Sequence, residues 1–227
     1  MWEYFEKYHH KLTEALLQHL TIVGISLAAS VALASVLTLL IMRNAKLSSI
    51  VIRVLGSVYA VPSLALFAIL IPFTGIGMKT AILVLTLYNQ FLLIRNFIAG
   101  LDSVDPQIIE AAEGMGMSHM RILVRIKLPL AFPVILAGIH LAVISTIGIA
   151  AVAAAIGAGG IGSILFDGMR TRSPVKLVWG TILAAGLAIT ANLLLIGIER
   201  LAARRLHYGD LAKTSGRGRS APSSSPE

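Results

Sequence analysis

Residues 20–42 read LTIVGISLAASVALASVLTLLIM, a run of 23 residues without a formal charge. A helix that crosses the hydrocarbon core of a bilayer needs about 20 apolar residues, whereas the core of a secretory signal peptide has only about 7–15. The run therefore predicts a membrane-spanning helix that stays in the mature protein. Ahead of it, over residues 1–19, apolar side chains recur at spacings of three and four and charged side chains fill the other positions. This pattern predicts a separate amphipathic helix that lies in the membrane interface.

The composition of the whole chain also indicates a membrane protein. Of 227 residues, 56% are hydrophobic and 13% are charged, the mean hydropathy is +0.84, and there is no cysteine. Soluble domains carry about 25% charged residues, so this chain has too few charges to cover the surface of a water-soluble globule. The composition excludes a disulfide scaffold and a disordered chain as well.

Further apolar runs predict the remaining spans. Residues 54–72 form one run, interrupted by Pro62, and residues 80–98 and 177–198 form two others. A longer run of 39 residues, 128–166, has no charge at all. It leaves two alternatives: one span at 129–155 followed by a buried hydrophobic loop, or two tight spans.

The distribution of Lys and Arg favours one span in that run, because cytoplasmic loops of membrane proteins are enriched in these residues. With five spans and residues 102–127 in the cytoplasm, the 19 Lys and Arg side chains divide into 13 inside and 6 outside. With six spans they divide into 10 and 9. We therefore predict an all-α, five-span protein with a cytoplasmic C-terminus, which makes the net charge of +8 a signal of topology and lipid contact rather than of nucleic-acid binding. The basic, Gly/Ser/Pro-rich tail over residues 206–227 is predicted to be disordered.

Residues 102–128 form a polar loop that connects the third and fourth predicted spans. Asp105 followed by Pro106 is typical of a helix start, because Asp caps free N–H groups and Pro fits the first helical position. Gly116 is expected to end this helix and Ser118 to cap a second short one. Pro129 is expected to begin the next span.

The loop over residues 102–128, here called the coupling loop, resembles the EAA loop of permeases of ATP-binding cassette (ABC) importers. The pattern is E-A-A, three residues, G, nine residues, I, one residue, L-P. The residues that match it are Glu110, Ala111, Ala112, Gly116, Ile126, Leu128 and Pro129. Residues 155–172 and the span that follows are similar to the permeases of glycine betaine, carnitine and choline importers.

This resemblance implies a five-helix type I importer core that works as one of two permease subunits, in a homodimer or a heterodimer. The coupling loop would dock in a groove of a separate ABC ATPase subunit, and an extracytoplasmic solute-binding protein would deliver the solute. ATP and Mg²⁺ would be used by that ATPase, so no cofactor is expected on this chain. The expected location is the bacterial cytoplasmic membrane. An importer permease for another small solute, such as an amino acid or a thiol, stays open, as does a stand-alone secondary transporter or channel.

Other motifs point away from catalysis. The glycines of residues 157–162, here called the glycine turn, fit the dinucleotide pattern G-x-G-x-x-G, but no strand precedes them and no acidic residue follows at about 20 positions. We interpret them as a flexible turn where backbone approaches another helix or lines the pathway. They are Gly157, Gly159, Gly160 and Gly162. The sequence has no G-x-x-x-x-G-K-[ST] motif, and its histidines show neither metal-binding nor catalytic spacing, so neither a catalytic nor a metal site is predicted.

Polar residues inside the predicted spans are the remaining candidates, because polar groups are costly in lipid. They either line a translocation pathway or hydrogen-bond between helices. The candidates are Asn89, Gln90, His140, Asn192 and, beside Pro62, Tyr59. Only 6% of the residues are aromatic and we expect them not to cluster, so an aromatic cage for a quaternary ammonium group is expected in the binding protein rather than here.

Overall fold

The computed structural model describes residues 2–205, and this part of the chain is helical with no β-strand, which confirms the all-α prediction. The helices are α1 (Trp2–Ile41), α2 (Ala45–Tyr59), α3 (Ser63–Thr74), α4 (Met78–Asp102), α5 (Pro106–Gly114), α6 (His119–Ile122), α7 (Leu128–Val152), α8 (Ile161–Arg170) and α9 (Pro174–Arg205). The predicted disordered tail, residues 206–227, lies outside the described residues.

Helix α1 is one continuous helix of 40 residues, so the prediction of a separate helix over residues 1–19 is wrong. At 1.5 Å per residue it is about 60 Å long, twice the thickness of the hydrocarbon core. Its buried face keeps a helical spacing across the predicted boundary, through Leu12, Ala15 and His19. The same face continues through small side chains that are all buried: Ser26, Ser30, Ala34 and Thr38. Because no proline interrupts this periodic face, the chain has no reason to break between the two predicted segments.

The second predicted span, 54–72, is not one straight helix. Helix α2 begins earlier, after Asn44, whose side-chain oxygen accepts the backbone N–H groups of Lys46 and Leu47. It ends at Tyr59, and α3 leaves at an angle of 96° after Pro62. Proline lacks the N–H group and restricts the residue before it, which explains the break. With 15 and 12 residues, about 22 Å and 18 Å long, neither α2 nor α3 crosses a bilayer alone.

Helix α4 is the centre of the fold and packs against α1, α2, α3 and α7. Large apolar side chains along it are fully or almost fully buried, among them Leu85, Leu93 and Ile94. This is the arrangement expected of a helix with neighbours on several sides, since the other long helices keep broad apolar faces exposed.

The 39-residue apolar run contains one long helix, α7, followed by the 3₁₀ turn Ala153–Ile156, the glycine turn and α8. Helix α8 has ten residues, about 15 Å, and is too short to span. Helix α9 returns along α8 and α7. By length and hydropathy, the described residues provide four spanning helices, and the bent pair α2–α3 is a candidate fifth.

Candidate functional site

The first helix of the coupling loop begins and ends as its residues predict. The Asp105 side chain accepts the N–H group of Gln107 at 2.9 Å, and Pro106 is the first helical residue of α5. At the other end Gly116 has φ +79°, its N–H donates to the carbonyl of Glu113, and the N–H of Met117 donates to the carbonyl of Ala112. These two bonds form a Schellman motif, which needs a left-handed residue at the glycine position.

The second half of the coupling loop differs from the prediction. Ser118 stands at the N-cap of α6, but its side chain makes no capping hydrogen bond. Pro129 does not begin a helix, because residues 119–156 form one continuous helical segment. A π-helical turn, Leu123–Lys127, precedes the proline, and the N–H of Leu128 reaches back to the carbonyl of Leu123. Because Pro129 has no N–H to donate, the wider turn carries the helix past it without a break.

Buried anchors hold the coupling loop against the rest of the protein. Val104, Ala112 and Ile122 are 5%, 1% and 3% exposed. Met42 and Arg43, which follow the end of α1, face the loop across a groove of about 600 Å³. The loop is therefore a fixed protrusion beyond the ends of the spans rather than a free linker.

The exposed face of the coupling loop combines a carboxylate with apolar side chains. Glu110, Ala111 and Gly116 are exposed, Ile126 and Pro129 are half-buried, and Leu128 is 38% exposed. Met115 and Met120, on the same loop, are 76% and 65% exposed. Apolar groups exposed this far from the spans are typical of a surface that packs on a partner protein.

Two of the predicted pathway residues, Asn89 and Gln90, join helices at the middle of α4. Both are 2% exposed. The Asn89 amide nitrogen donates to the hydroxyl of Ser30 on α1 at 3.2 Å and to that of Thr146 on α7 at 2.8 Å. The amide of Gln90 donates to the carbonyls of Ser30 and Thr86. Their geometry is that of interhelical hydrogen bonds, the second of the two alternatives that the sequence left open.

The structure brings His140 and Asn192 together and adds a residue that the sequence reasoning missed. One ring nitrogen of His140 lies 2.8 Å from Oδ1 of Asn192, and the other lies 2.9 Å from Oε1 of Glu199. The carboxylate belongs to α9, 59 positions along the chain from the histidine. The sequence does indicate that His140 needs a polar partner, because it is a polar residue in a span. It does not show the position of α9 along α7, which makes Glu199 that partner.

Tyr59 lies in an aromatic cluster, so the expectation that no aromatic residues cluster is wrong. Its ring contacts those of Tyr88 and Phe91 at centroid distances of 5.4 Å and 5.2 Å. The Tyr88 hydroxyl donates to the carbonyl of Val61, in the break between α2 and α3. The guanidinium of Arg95 lies 5.8 Å from the Phe91 centroid. Rings that are far apart in sequence meet because α2 packs along α4.

The glycine turn packs closely against α1 and α7. Gly157, Gly159 and Gly160 have φ between +72° and +82°. The N–H of Gly160 donates to the side-chain oxygen of Gln18, and a Cβ atom on Gly162 would overlap the carbonyl oxygen of Ala151. Beside the turn, the buried ring of His19 contacts the carbonyl of Ile147 at 3.2 Å. The backbone of the turn thus lies close to side chains of α1 and, at Gly162, to the backbone of α7, as the glycine pattern suggests.

The basic cluster at the end of α8 is partly neutralised by one carboxylate. Asp167 accepts from Lys176 at 2.7 Å and from Arg170 at 3.3 Å. The hydrogen bond from Lys176 holds the pKa of the Asp167 carboxyl below its usual value. The cations on the side opposite the coupling loop therefore count less against the five-span topology than their number suggests.

The candidate residues thus form separate groups along the molecule rather than one site. The coupling loop lies at one end, the Asn89, His140 and Tyr59 groups lie within the spans, and the glycine turn lies at the other end. Within residues 2–205, no group of three His, Asp or Glu side chains is placed to hold a metal ion.

Comparison with known proteins extends this picture. Residues 21–208 match the family described as "Binding-protein-dependent transport system inner membrane component". The chain is 34% identical to the carnitine transport permease protein OpuCB of Listeria monocytogenes, over 86% of this chain and 90% of the relative. It is 35% identical to the osmoprotectant import permease protein OsmW of Salmonella typhimurium, over 78% of this chain and 85% of the relative.

Two further similarities concern a part of a longer protein and the fold, respectively. The ergothioneine transport permease/ergothioneine binding protein EgtU of Helicobacter pylori is 37% identical over 66% of this chain, which corresponds to 27% of that protein. The fold is similar to that of the MetNI methionine ABC transporter in an inward-facing conformation, with a TM-score of 0.79 over 87% of this chain and 98% of the other, at 24% identity. The last likeness concerns the fold alone.

Proposed function

Because this chain belongs to the family of binding-protein-dependent inner-membrane transport components, we propose that it is the membrane-spanning permease subunit of an ABC importer for osmoprotectants. Its solutes are glycine betaine, carnitine, choline or related quaternary ammonium compounds. It moves them by alternating access, driven by a separate ATPase subunit.

The choice of solute rests on the relatives. OpuCB is named for carnitine, OsmW for osmoprotectants, and a Bacillus subtilis relative at 35% identity for glycine betaine, carnitine and choline. All of the individual solutes in these names carry a trimethylammonium group. EgtU is named for ergothioneine, which carries the same group together with sulfur. This last relative favours a second candidate, an importer permease for a sulfur-containing betaine.

The observation that carries the mechanism is the coupling loop. It is a fixed protrusion between two spans, and it presents Glu110 and Ala111 beside exposed Met115 and Met120. Docked in a groove of the ATPase subunit, the apolar side chains bury against the partner and Glu110 pairs with a basic or backbone donor. Ala111 allows close approach, and Gly116 fixes the sharp turn. Since α6 runs directly into α7 and buried side chains on either side of α5 and in α6 anchor the loop, movement of the ATPase is passed to the spans.

The remaining parts of the machinery are separate subunits. A second permease subunit completes the pathway, an extracytoplasmic solute-binding protein supplies the solute, and ATP and Mg²⁺ bind the ATPase. The coupling loop and the C-terminus face the cytoplasm of a bacterial cell, and the glycine turn and α8 face outward.

Reconstitution in proteoliposomes tests this function. Permease, ATPase and binding protein together are expected to hydrolyse ATP faster when glycine betaine is added, and to accumulate it. Glu110→Lys is expected to lower solute-stimulated ATPase activity and uptake at least about tenfold, because it places a cation where the partner offers donors. Unchanged coupling in this variant would contradict the role of the loop.

Asp102→Lys is a matched control. It makes the same change of charge at an exposed position outside the EAA pattern, at the C-terminal end of α4 where a cation is favourable. It is expected to leave uptake unchanged. A stand-alone transporter or channel would move solute without the ATPase, and deletion of the loop would not affect association with any ATPase.

A further inference from the structure

A cavity of about 490 Å³ lies at the end of the molecule opposite the coupling loop. It is bounded by the N-terminal half of α1, the glycine turn, α8 and the first turn of α9. The polar residues that line it and carry the inference are Tyr4, Lys11, Glu14, Gln18, Asp167, Arg170 and Lys176. Along α1, Glu14 is about 40 Å from the end that faces the coupling loop. We call this space the outer cavity.

The outer cavity carries charges of both signs, from two different parts of the fold. Helix α1 contributes Lys11 and Glu14, and the α8–α9 hairpin contributes Asp167, Arg170 and Lys176. Asp167 is already paired with both of its cationic neighbours. Within the described residues, no carboxylate lies within ion-pair distance of the Lys11 ammonium. The cavity therefore holds a cation that is free to receive a carboxylate.

An aromatic surface completes the wall. The ring of Tyr4 lines the cavity and contacts that of Tyr8 at a centroid distance of 4.7 Å. The ammonium groups of Lys7 and Lys11 lie 5.7 Å and 5.5 Å from the Tyr8 centroid. The face of Tyr8 thus already attracts cations. Tyr4 presents a second aromatic ring to the cavity itself.

The inner boundary of the cavity is connected to the glycine turn. The amide nitrogen of Gln18 donates to Glu14 at 3.2 Å, and the oxygen of the same amide accepts the N–H of Gly160 at 3.1 Å. A solute that contacts Glu14 is therefore connected through two hydrogen bonds to the turn that packs α8 against α1 and α7.

We propose that the outer cavity binds a small zwitterion that carries both a quaternary ammonium group and a carboxylate, as it passes from the binding protein into the permease. This inference rests on the proposed function and extends it, because it gives the permease a share in selecting the solute. The ammonium group lies against Tyr4 and the carboxylate of Glu14. The carboxylate of the solute lies against Lys11. Choline has no carboxylate, so Lys11 adds no ion pair to its binding.

Two variants isolate the charge that receives the carboxylate. Lys11→Gln removes it. Lys7→Gln is the matched control, because Lys7 is one turn away on the same helix and lies over the same Tyr8 ring, but does not line the cavity. Both are made in the complete complex of permease, ATPase and binding protein.

The first measurement is uptake at saturating loaded binding protein, with glycine betaine and with choline. Lys11→Gln is expected to lower the rate for glycine betaine about tenfold relative to that for choline, and Lys7→Gln to change neither. Equal losses for both solutes would overturn the proposal, because they would place Lys11 in the docking surface for the binding protein. No change in the ratio would overturn it as well.

The second measurement separates this inference from the proposed function. Glycine betaine is titrated into the permease–ATPase complex without the binding protein, by calorimetry. Saturable binding that Lys11→Gln weakens about tenfold and Lys7→Gln leaves unchanged supports the outer cavity. Absence of saturable binding in the unmodified complex overturns it. If glycine betaine binds this complex but does not stimulate ATP hydrolysis after the binding protein is added, the proposed function fails and the outer cavity stands.

Discussion

Two turns at opposite ends of this protein use glycine for different reasons. In the coupling loop Gly116 has φ +79°, and in the glycine turn Gly160 has φ +78°. A Cβ atom on Gly116 would meet nothing within 4 Å. A Cβ atom on Gly160 would come within 3.0 Å of His19 Nδ1, and one on Gly162 would overlap the carbonyl oxygen of Ala151.

The difference indicates what each turn is for. The glycine turn is fixed by the helices around it, so its glycines are required by packing as much as by backbone conformation. The turn of the coupling loop needs glycine for its conformation alone, and the space around it is left open. That openness fits a surface that completes its contacts with a partner, and the contrast predicts different consequences of the same substitution.

The largest effect is expected from Gly162→Ala. The added methyl group meets backbone rather than a movable side chain, so α8 has to move away from α7. We expect a loss of at least about 3 kcal/mol of stability, which lowers the yield and melting temperature of the purified complex. Gly186→Ala on α9 is the control, since a Cβ there meets nothing within 4 Å and alanine favours helix. Equal stability of the two variants would break the distinction between packed and open glycines.

The same contrast applies to polar side chains, and Asn89→Ala tests it. Removal of the amide leaves the hydroxyls of Ser30 and Thr146 without their shared partner, which is expected to cost about 1–2 kcal/mol. Asn96→Ala on the same helix is the control, because the Asn96 amide nitrogen donates only to the carbonyl of Leu92, one turn away. A lower melting temperature with normal uptake at low temperature would identify Asn89 as an interhelical tie. Lost uptake without lost stability would instead place it on the pathway.

Local signals in the sequence predict much of the fold. The apolar runs locate the long helices, Pro62 locates the break between α2 and α3, and Asp105–Pro106 locates the start of α5. Each of these depends on neighbouring residues or on the absence of an N–H group, which the sequence displays directly. The prediction of a separate helix at the start of α1 is wrong because charged residues there are also typical of a helix in the membrane interface. The buried face of α1 continues through Leu12 and Ala15 despite these charges.

The contacts between helices could not be predicted in the same way. Glu199 pairs with His140, and Tyr59 with Tyr88, because of how α9 and α2 are shifted along their neighbours. A shift of one helical turn would select other partners, and no local pattern fixes it. For the same reason the sequence could name the basic residues near α8 but not the pairing of Lys176 with Asp167.

A smaller effect on stability is expected from Gly116→Ala. Alanine in the left-handed region costs about 1 kcal/mol, and the open surroundings add no clash. The melting temperature should therefore fall by no more than a few degrees, while solute-stimulated ATPase activity falls more because the Schellman turn positions the docking face. Gly114→Ala, at a helical position with nothing within 4 Å of the added atom, should preserve both. If Gly116→Ala destabilises the complex as much as Gly162→Ala does, the two turns are not different in kind.

The smallest effect concerns the charges beside the glycine turn and depends on pH. Lys176 holds the pKa of Asp167 below its usual value, so the folded protein favours the ionised carboxylate. A depressed pKa in the folded state gives stabilisation that is present above the unfolded-state pKa, about 3.9, and is lost as the pH falls through the folded value. Asp167→Asn should thus lower the melting temperature slightly and evenly between about pH 5 and 8, and the difference from the unmodified protein should shrink below about pH 4. Because the pair is partly exposed, 0.5 M salt should weaken the difference as well. If the difference in melting temperature grows as the pH falls, or does not change with salt, Asp167 stabilises the protein through the packing of α8 rather than through its charge. Both the glycine turn and Asp167 would then depend on packing alone.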